Sequence, residues 1–106
     1  IELDRYDLSL GTPPGTYLLA TSFGFSDAYP HVVEEVMFNY PGLGGTQDFQ
    51  VRADLTLCAT TNGGAVFSTG SIAWGQALPC ADGKNDVGRI TANVLERFMR
   101  DGPVEI

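Results

Sequence analysis

His31 is the only imidazole in the chain, so any metal ligation or proton transfer that needs a histidine must use it. Oxygen donors surround it: Asp27 and Tyr29 precede it, and Glu34 and Glu35 follow. If this segment is helical, His31 and the glutamates come within one turn of each other, and a His–carboxylate cluster for iron or zinc becomes possible. Two adjacent glutamates point different ways in either secondary structure. The metal-ligating expectation is therefore Tyr29, His31 and Glu34. The plainer alternative is a surface histidine at the start of an element.

A second candidate is Ser68, Thr69 and Ser71, three hydroxyls at the end of an apolar run. Hydroxyls there can hydrogen-bond a small amide substrate or line the pocket beside it, or they can satisfy the backbone of the loop they enter. Gly42-Leu43-Gly44-Gly45 lacks the lysine and the strand–helix setting of a phosphate loop, which excludes nucleotide binding on that motif. Cys58 and Cys80 have no further Cys or His at ligand spacing and are too few for a disulfide scaffold. They read as buried free thiols of a cytoplasmic protein. Trp74 is large enough to serve either as core or as a subunit contact.

These residues must be held by a small set of elements. The central one runs from Val51 to Trp74. Two apolar runs, Leu55 to Thr60 and Ala65 to Thr69, flank Asn62-Gly63-Gly64, and Asn-Gly between such runs is a strong hairpin signal. A type I′ turn at Asn62-Gly63 places Cys58 opposite Phe67 and Leu57 opposite Ser68. Neither face of that hairpin is clearly polar, which predicts a sheet covered on both sides. Thr16 to Ser22 predicts a further strand, and Ile1 to Gly15, with adjacent prolines, an extended connector. His31 to Tyr40 carries valines at helical spacing but also β-branched residues and Phe38, and leans towards strand. Tyr40 to Gln50 and Gly75 to Asp86 are loops. From Val87, apolar residues recur at Ile90, Val94, Leu95, Phe98 and Met99, which predicts a helix with one buried face. Asn85 or Asp86 can cap it, Gly102 and Pro103 end it, and Glu96 to Arg100 is a favourable pair worth about 0.3 kcal/mol.

With 106 residues, the chain is one domain at most, or a C-terminal fragment of a larger α/β domain, and its opening IELDRYD reads as the interior of a longer protein. Thirteen acidic residues against six basic ones leave a net charge of −7, which argues against nucleic-acid or anionic-membrane partners. No apolar run approaches the ~20 residues of a membrane span.

Read from end to end, the chain resembles the C-terminal region of the N,N-dimethylformamidase large (beta) subunit family. The residues that carry this are LDRYDLSLGTPPGTYLLATS, SDAY, VVEEVMFNYPGLGGTQ, VRADLTLCATTNGGAVFSTGSIAW and RITANVLERF. The resemblance implies an amidohydrolase that cleaves an amide C–N bond. It also implies a glutamine-amidotransferase-like (flavodoxin-like) sheet, with the β-hairpin and the C-terminal amphipathic helix as its last parts. A mononuclear iron held by two Tyr and a Glu belongs to the family, with its ligands expected upstream of this stretch, so no iron is expected in these residues alone.

The chain departs from a glutamine amidotransferase where the strand ends in Ser68-Thr69-Gly70-Ser71 without a His or a Glu, so a Cys–His dyad is not supported. Phe25 and Cys80 stand near places where the family pattern has histidine. The expected role is scaffold and pocket wall in an amide hydrolase, completed by the rest of the polypeptide or a partner subunit in a homo- or hetero-oligomer. The rival is a non-catalytic interaction module on the same scaffold.

Overall fold

The computed structural model describes residues 2–32 and 42–106, so the 31–40 element lies largely outside the described residues, Glu34 and Glu35 with it. Three strands, β1 (Tyr17–Ser22), β2 (Ala53–Ala59) and β3 (Ala65–Ser68), form an antiparallel sheet in the order β1-β2-β3. They precede a short helix α1 (Ala73–Ala77) and a longer helix α2 (Asp86–Met99). A sheet and a C-terminal helix are thus present as expected. The connector before β1 is not wholly extended: Asp7 caps a 3₁₀ turn at Leu8–Leu10 by accepting the Ser9 N–H.

The hairpin forms where Asn-Gly predicts it, but one residue out of the expected register. Leu57 faces Phe67, Cys58 faces Val66 and Thr56 faces Ser68. The reason is the turn. Only Gly63 has positive φ, at 83°, and the Thr60 N–H donates to the Gly64 carbonyl while the Gly63 N–H donates to Thr60. This is a three-residue loop ending in a left-handed glycine, which leaves Asn62 free of the strained conformation that a type I′ turn would demand.

The shift re-sorts the faces, because side chains alternate along a strand. Ala20, Leu55, Leu57 and Phe67 now share one face, and Thr21, Asp54, Thr56, Cys58 and Ser68 share the other, with Leu18 and Val66 among them. One face is therefore apolar and the other mixed, rather than both apolar. β1 carries a bulge between Leu18 and Ala20.

Val104 donates its N–H to the Gly63 carbonyl at 2.7 Å, tying the C-terminal tail to the hairpin tip. A Cβ on Gly63 would lie 3.2 Å from Pro103 Cβ, and its φ suits only glycine comfortably. Gly63→Val should lose roughly 1–3 kcal/mol, the usual cost of holding such a residue in the left-handed region. Wild-type melting of the variant would show that the turn lies elsewhere.

Helix α2 starts as the cap predicts. The Asn85 side-chain oxygen accepts the Gly88 N–H at 2.8 Å, and its Nδ2 donates to the carbonyls of Ala77, Leu78 and Cys80. One side chain thus closes α1 and opens α2. The 75–86 stretch is not all loop, since α1 extends to Ala77 and a 3₁₀ turn covers Cys80–Gly83. Trp74 holds the two helices together: its indole N–H donates to Thr91 Oγ1 at 3.0 Å, and its ring meets Phe67 edge-on at 6.2 Å. The Glu96–Arg100 pair is not formed, because Arg100 has left the helix with ψ 145°. Arg97 instead donates to the Pro103 carbonyl.

Only Val51 and Leu55 are buried among the large apolar side chains described. The helix stripe is half-buried at Val87, Ile90 and Val94, yet Leu95, Phe98 and Met99 are exposed. Leu18 and Leu19 on β1 are about half exposed as well. Both cysteines are free, but Cys80 is exposed and Cys58 half-buried, so the buried-thiol expectation fails. Cys80 sits in the 3₁₀ turn Cys80–Gly83.

Candidate functional site

The sheet, an N-terminal strap (residues 2–6) and residues 25–32 and 50–52 border two adjoining clefts. The first, of about 450 Å3, lies between the apolar face of the sheet and the helices, with Leu55, Trp74 and Ile90 in its walls and Thr69, Ser71, Tyr29 and the Asp86 carboxylate among its polar positions. The second, of about 490 Å3, is lined by Arg5, Tyr29, His31, Gln50 and Arg52. Leu3 and Tyr29 belong to both, so Tyr29 stands at the junction. Its ring also packs against Phe25 at 5.1 Å.

The hydroxyl trio divides. Thr69 and Ser71 face the first cleft, whereas Ser68 pairs with Thr56 on the mixed face and lines a separate cleft of about 470 Å3. The cause is strand alternation, which sends Ser68 and Thr69 to opposite sides. Thr69 Oγ1 donates to the Ser71 carbonyl, and Ser71 Oγ accepts the Ala73 N–H. Ser71 keeps its own O–H proton for a further acceptor. The loop-satisfying role and a pocket-lining role therefore coexist in one residue.

In the second cleft, His31 Nδ1 lies 2.9 Å from Asp48 Oδ2. The loop backbone positions both: the His31 N–H donates to the Leu43 carbonyl at 2.6 Å, and the Asp48 N–H donates to Gly44 at 2.8 Å. Burial pushes the Asp48 carboxyl up, but the Gln50 N–H, the His31 hydrogen bond and charge, and the Arg5 guanidinium outweigh it and hold the group below its ordinary value. Asp27 is lowered by the Thr46 hydroxyl and backbone N–H.

Both groups are depressed in the folded chain, so their contribution is complete above the unshifted value of 3.8 and is lost as pH falls through the folded values. Acidification below pH 3.8 should therefore release the Thr46 and Gln50 N–H groups from Asp27 and Asp48 before the sheet melts. Amide exchange at Thr46 and Gln50 reports this, and protection unchanged down to global unfolding would refute it.

Asp48, the partner of His31, carries no sequence signal, because it is 17 positions away along the chain. Arg52 and Asp54 were legible in principle as an i, i+2 pair at the start of a strand, where both side chains leave the same face. The Arg52 Nε donates to Asp54 Oδ2 at 2.9 Å, and its Nη2 donates to the Tyr6 carbonyl. Tyr6 returns its own N–H to Asp54 at 2.7 Å. This network fastens the N-terminal strap beside the second cleft.

Tyr29 and His31 reach the same cleft, but among the described residues no three His, Cys, Asp or Glu side chains converge as a metal site would require. Glu34, the third residue of the predicted set, lies outside the described residues. No helix among the described residues is long and apolar enough to cross a membrane.

Residues 1–88 match the family model described as "N,N-dimethylformamidase beta subunit-like, C-terminal". The chain is 49% identical to the N,N-dimethylformamidase beta subunit of Paracoccus aminophilus over 105 residues, 99% of this chain and 14% of that protein. It is 47% identical to the N,N-dimethylformamidase beta subunit of Alcaligenes sp. over 102 residues, 96% of this chain and 13% of that protein. It thus spans about one seventh of the length of these relatives. On that match the chain belongs to the N,N-dimethylformamidase beta subunit-like, C-terminal family.

Proposed function

We propose that these residues serve as scaffold and pocket wall in an amide-hydrolysing subunit whose substrates are small N-alkyl amides. The observation that supports it is the first cleft. Its apolar wall of Leu55, Trp74 and Ile90 suits N-alkyl groups, and the uncommitted Ser71 O–H offers a donor to an amide carbonyl. The names of the relatives point to the same bond. In this reading the sheet continues into a larger glutamine-amidotransferase-like domain, and iron, where the full protein carries it, is held by residues outside this stretch. The surroundings are cytoplasmic, and the rest of the polypeptide or a partner subunit covers the exposed apolar surfaces of β1 and α2.

The test is amide-hydrolysis kinetics with metal analysis on the full-length assembly. Ser71→Ala should raise KM for a small tertiary amide by about 2–10-fold, the worth of one neutral hydrogen bond. Turnover without any change in that variant would remove the substrate from this cleft. An assembly with neither iron nor turnover would favour a non-catalytic interaction module, for which the same exposed apolar surfaces speak.

Residues 1–106 expressed alone should self-associate or remain partly molten, because a core of Val51 and Leu55 leaves an apolar area beyond the few hundred Å2 (roughly) that monomers tolerate. Light scattering and denaturant melts decide it. A soluble, cooperatively melting monomer would show that the segment closes its own core.

A further inference from the structure

We infer that the first cleft is a binding site for a small alkylammonium ion, with Asp86 as the counter-charge and Phe25, Tyr29 and Trp74 as aromatic walls. On the hydrolase reading above, that ion is the protonated amine released from an N-alkyl amide, so its role as product rests on that reading.

Asp86 opens α2. An acidic residue at a helix start ordinarily caps the helix or complements its dipole. Here Asn85 is the cap, accepting the Gly88 N–H at 2.8 Å, and among the described residues the Asp86 carboxylate forms neither a hydrogen bond nor an ion pair. Among those residues it is also the one charged side chain lining this cleft. Arg5 and Arg52 line the other cleft, where Asp7 and Asp54 engage them. The first cleft therefore carries one negative charge and no cation to match it.

The walls decide which kind of cation fits. A strongly hydrated inorganic ion gains nothing from the carbon surface of Leu55 and Ile90, whereas an alkylated nitrogen buries its methyl or methylene groups there. Aromatic rings attract such a cation further, through the negative face of the ring. Trp74 has its one polar atom committed elsewhere. Its indole N–H donates to Thr91 Oγ1 at 3.0 Å, and Thr91 donates in turn to the Val87 carbonyl at 2.7 Å. What the indole offers the cleft is ring carbon. Phe25 and Tyr29, with ring centroids 5.1 Å apart, form a second aromatic surface.

Ser71 remains the donor to an amide carbonyl, which needs no counter-charge. Once the C–N bond is broken, the same alkyl groups sit on a nitrogen that, like a lysine amine, is protonated at neutral pH. Its N–H groups then donate to Asp86. The cleft thus holds the amine more firmly than the neutral amide, and the amine inhibits by competing for it.

The experiment uses the full-length chain in its native assembly, with dimethylammonium chloride titrated by calorimetry and added to amide-hydrolysis assays. Saturable binding is expected, competitive with an N,N-dimethyl amide and weakened by salt, because Asp86 is exposed. Asp86→Asn should weaken it by about 5–10-fold, between the worth of an exposed ion pair and that of a charge-assisted hydrogen bond. Trp74→Leu keeps an apolar wall without the ring and should weaken it by about 2–5-fold, the worth of an exposed cation–π contact. Ammonium chloride at equal ionic strength should bind far more weakly, and isopropanol, a neutral molecule of similar shape, should not compete. Absence of saturable binding to the wild type overturns the proposal; a lysine from the rest of the polypeptide seated in the cleft would give that result. An affinity within about twofold of wild type in Asp86→Asn also overturns it, as does equal binding of ammonium or equal competition by isopropanol. Dimethylammonium binding that depends on Asp86, in an assembly without amide turnover, would leave the site standing and overturn the hydrolase reading instead.

Discussion

Gly70→Ala should be the most damaging small substitution in this chain, at a loss of roughly 3–5 kcal/mol, combining backbone strain with overpacking. Gly70 has φ +72°, where an L side chain is strained whatever its surroundings. Its surroundings are also closed. A Cβ would lie 2.5 Å from the Asp54 carbonyl oxygen and 2.8 Å from the Asp54 nitrogen, both backbone atoms of the central strand. Neither can swing aside as a side chain would. The Gly70 carbonyl accepts the Asp4 N–H at 2.8 Å, and the Asp54 N–H donates to the Asp4 carbonyl at 2.9 Å. Moving Gly70 away from β2 would therefore loosen the strap as well as the start of the loop that presents Ser71. Denaturant melts of the variant in the full chain measure it. Stability within about 0.5 kcal/mol of wild type, the range of harmless surface changes, would show that Gly70 does not press on β2.

Asp54→Ala should cost about 3 kcal/mol, the lower end of what breaking a buried ion pair costs. The Asp54 side chain is 1% exposed and that of Arg52 15%. Alanine leaves the guanidinium without its carboxylate and the Tyr6 N–H without its acceptor, both in a largely water-free place. Asp54→Asn keeps an oxygen for Tyr6 and should lose less. Asp54 Oδ1 is itself buried without a partner among the described residues, which marks the network as held together by Oδ2 alone. If Asp54→Ala melts like wild type, the strap is fastened by the Asp4 backbone bonds and not by this carboxylate. A double substitution with Arg52→Met tests the same point, since removing both charges should recover part of the loss.

Local signals in the residues accounted for much of the architecture. The repeat of Val87, Ile90 and Val94, with Asn85 before it, was enough to place α2 and its cap, because helix periodicity and capping are settled within one or two turns. Asn-Gly between apolar runs was enough to place the hairpin, although of the two residues expected at positive φ only Gly63 has it. Family membership was legible for the same kind of reason: it is carried by residue identity along the chain, and it needs no knowledge of what touches what.

Tertiary structure decided the rest. The register of the hairpin turned on whether Asn62 took positive φ, a one-residue slip that moves every β3 side chain to the other face relative to β2. Strand alternation separates Ser68 from Thr69 in either register, and the observed register decided which cleft each of them reaches. The helix stripe was correct as a pattern, yet its C-terminal half is exposed, since periodicity specifies which side is apolar but not what lies against it. His31 was visible as the single imidazole, but its partner Asp48 was not. A hydrogen bond between residues 17 positions apart depends on where the His31 and Asp48 backbones are held, through the Leu43 and Gly44 carbonyls, and no local preference in the sequence encodes that.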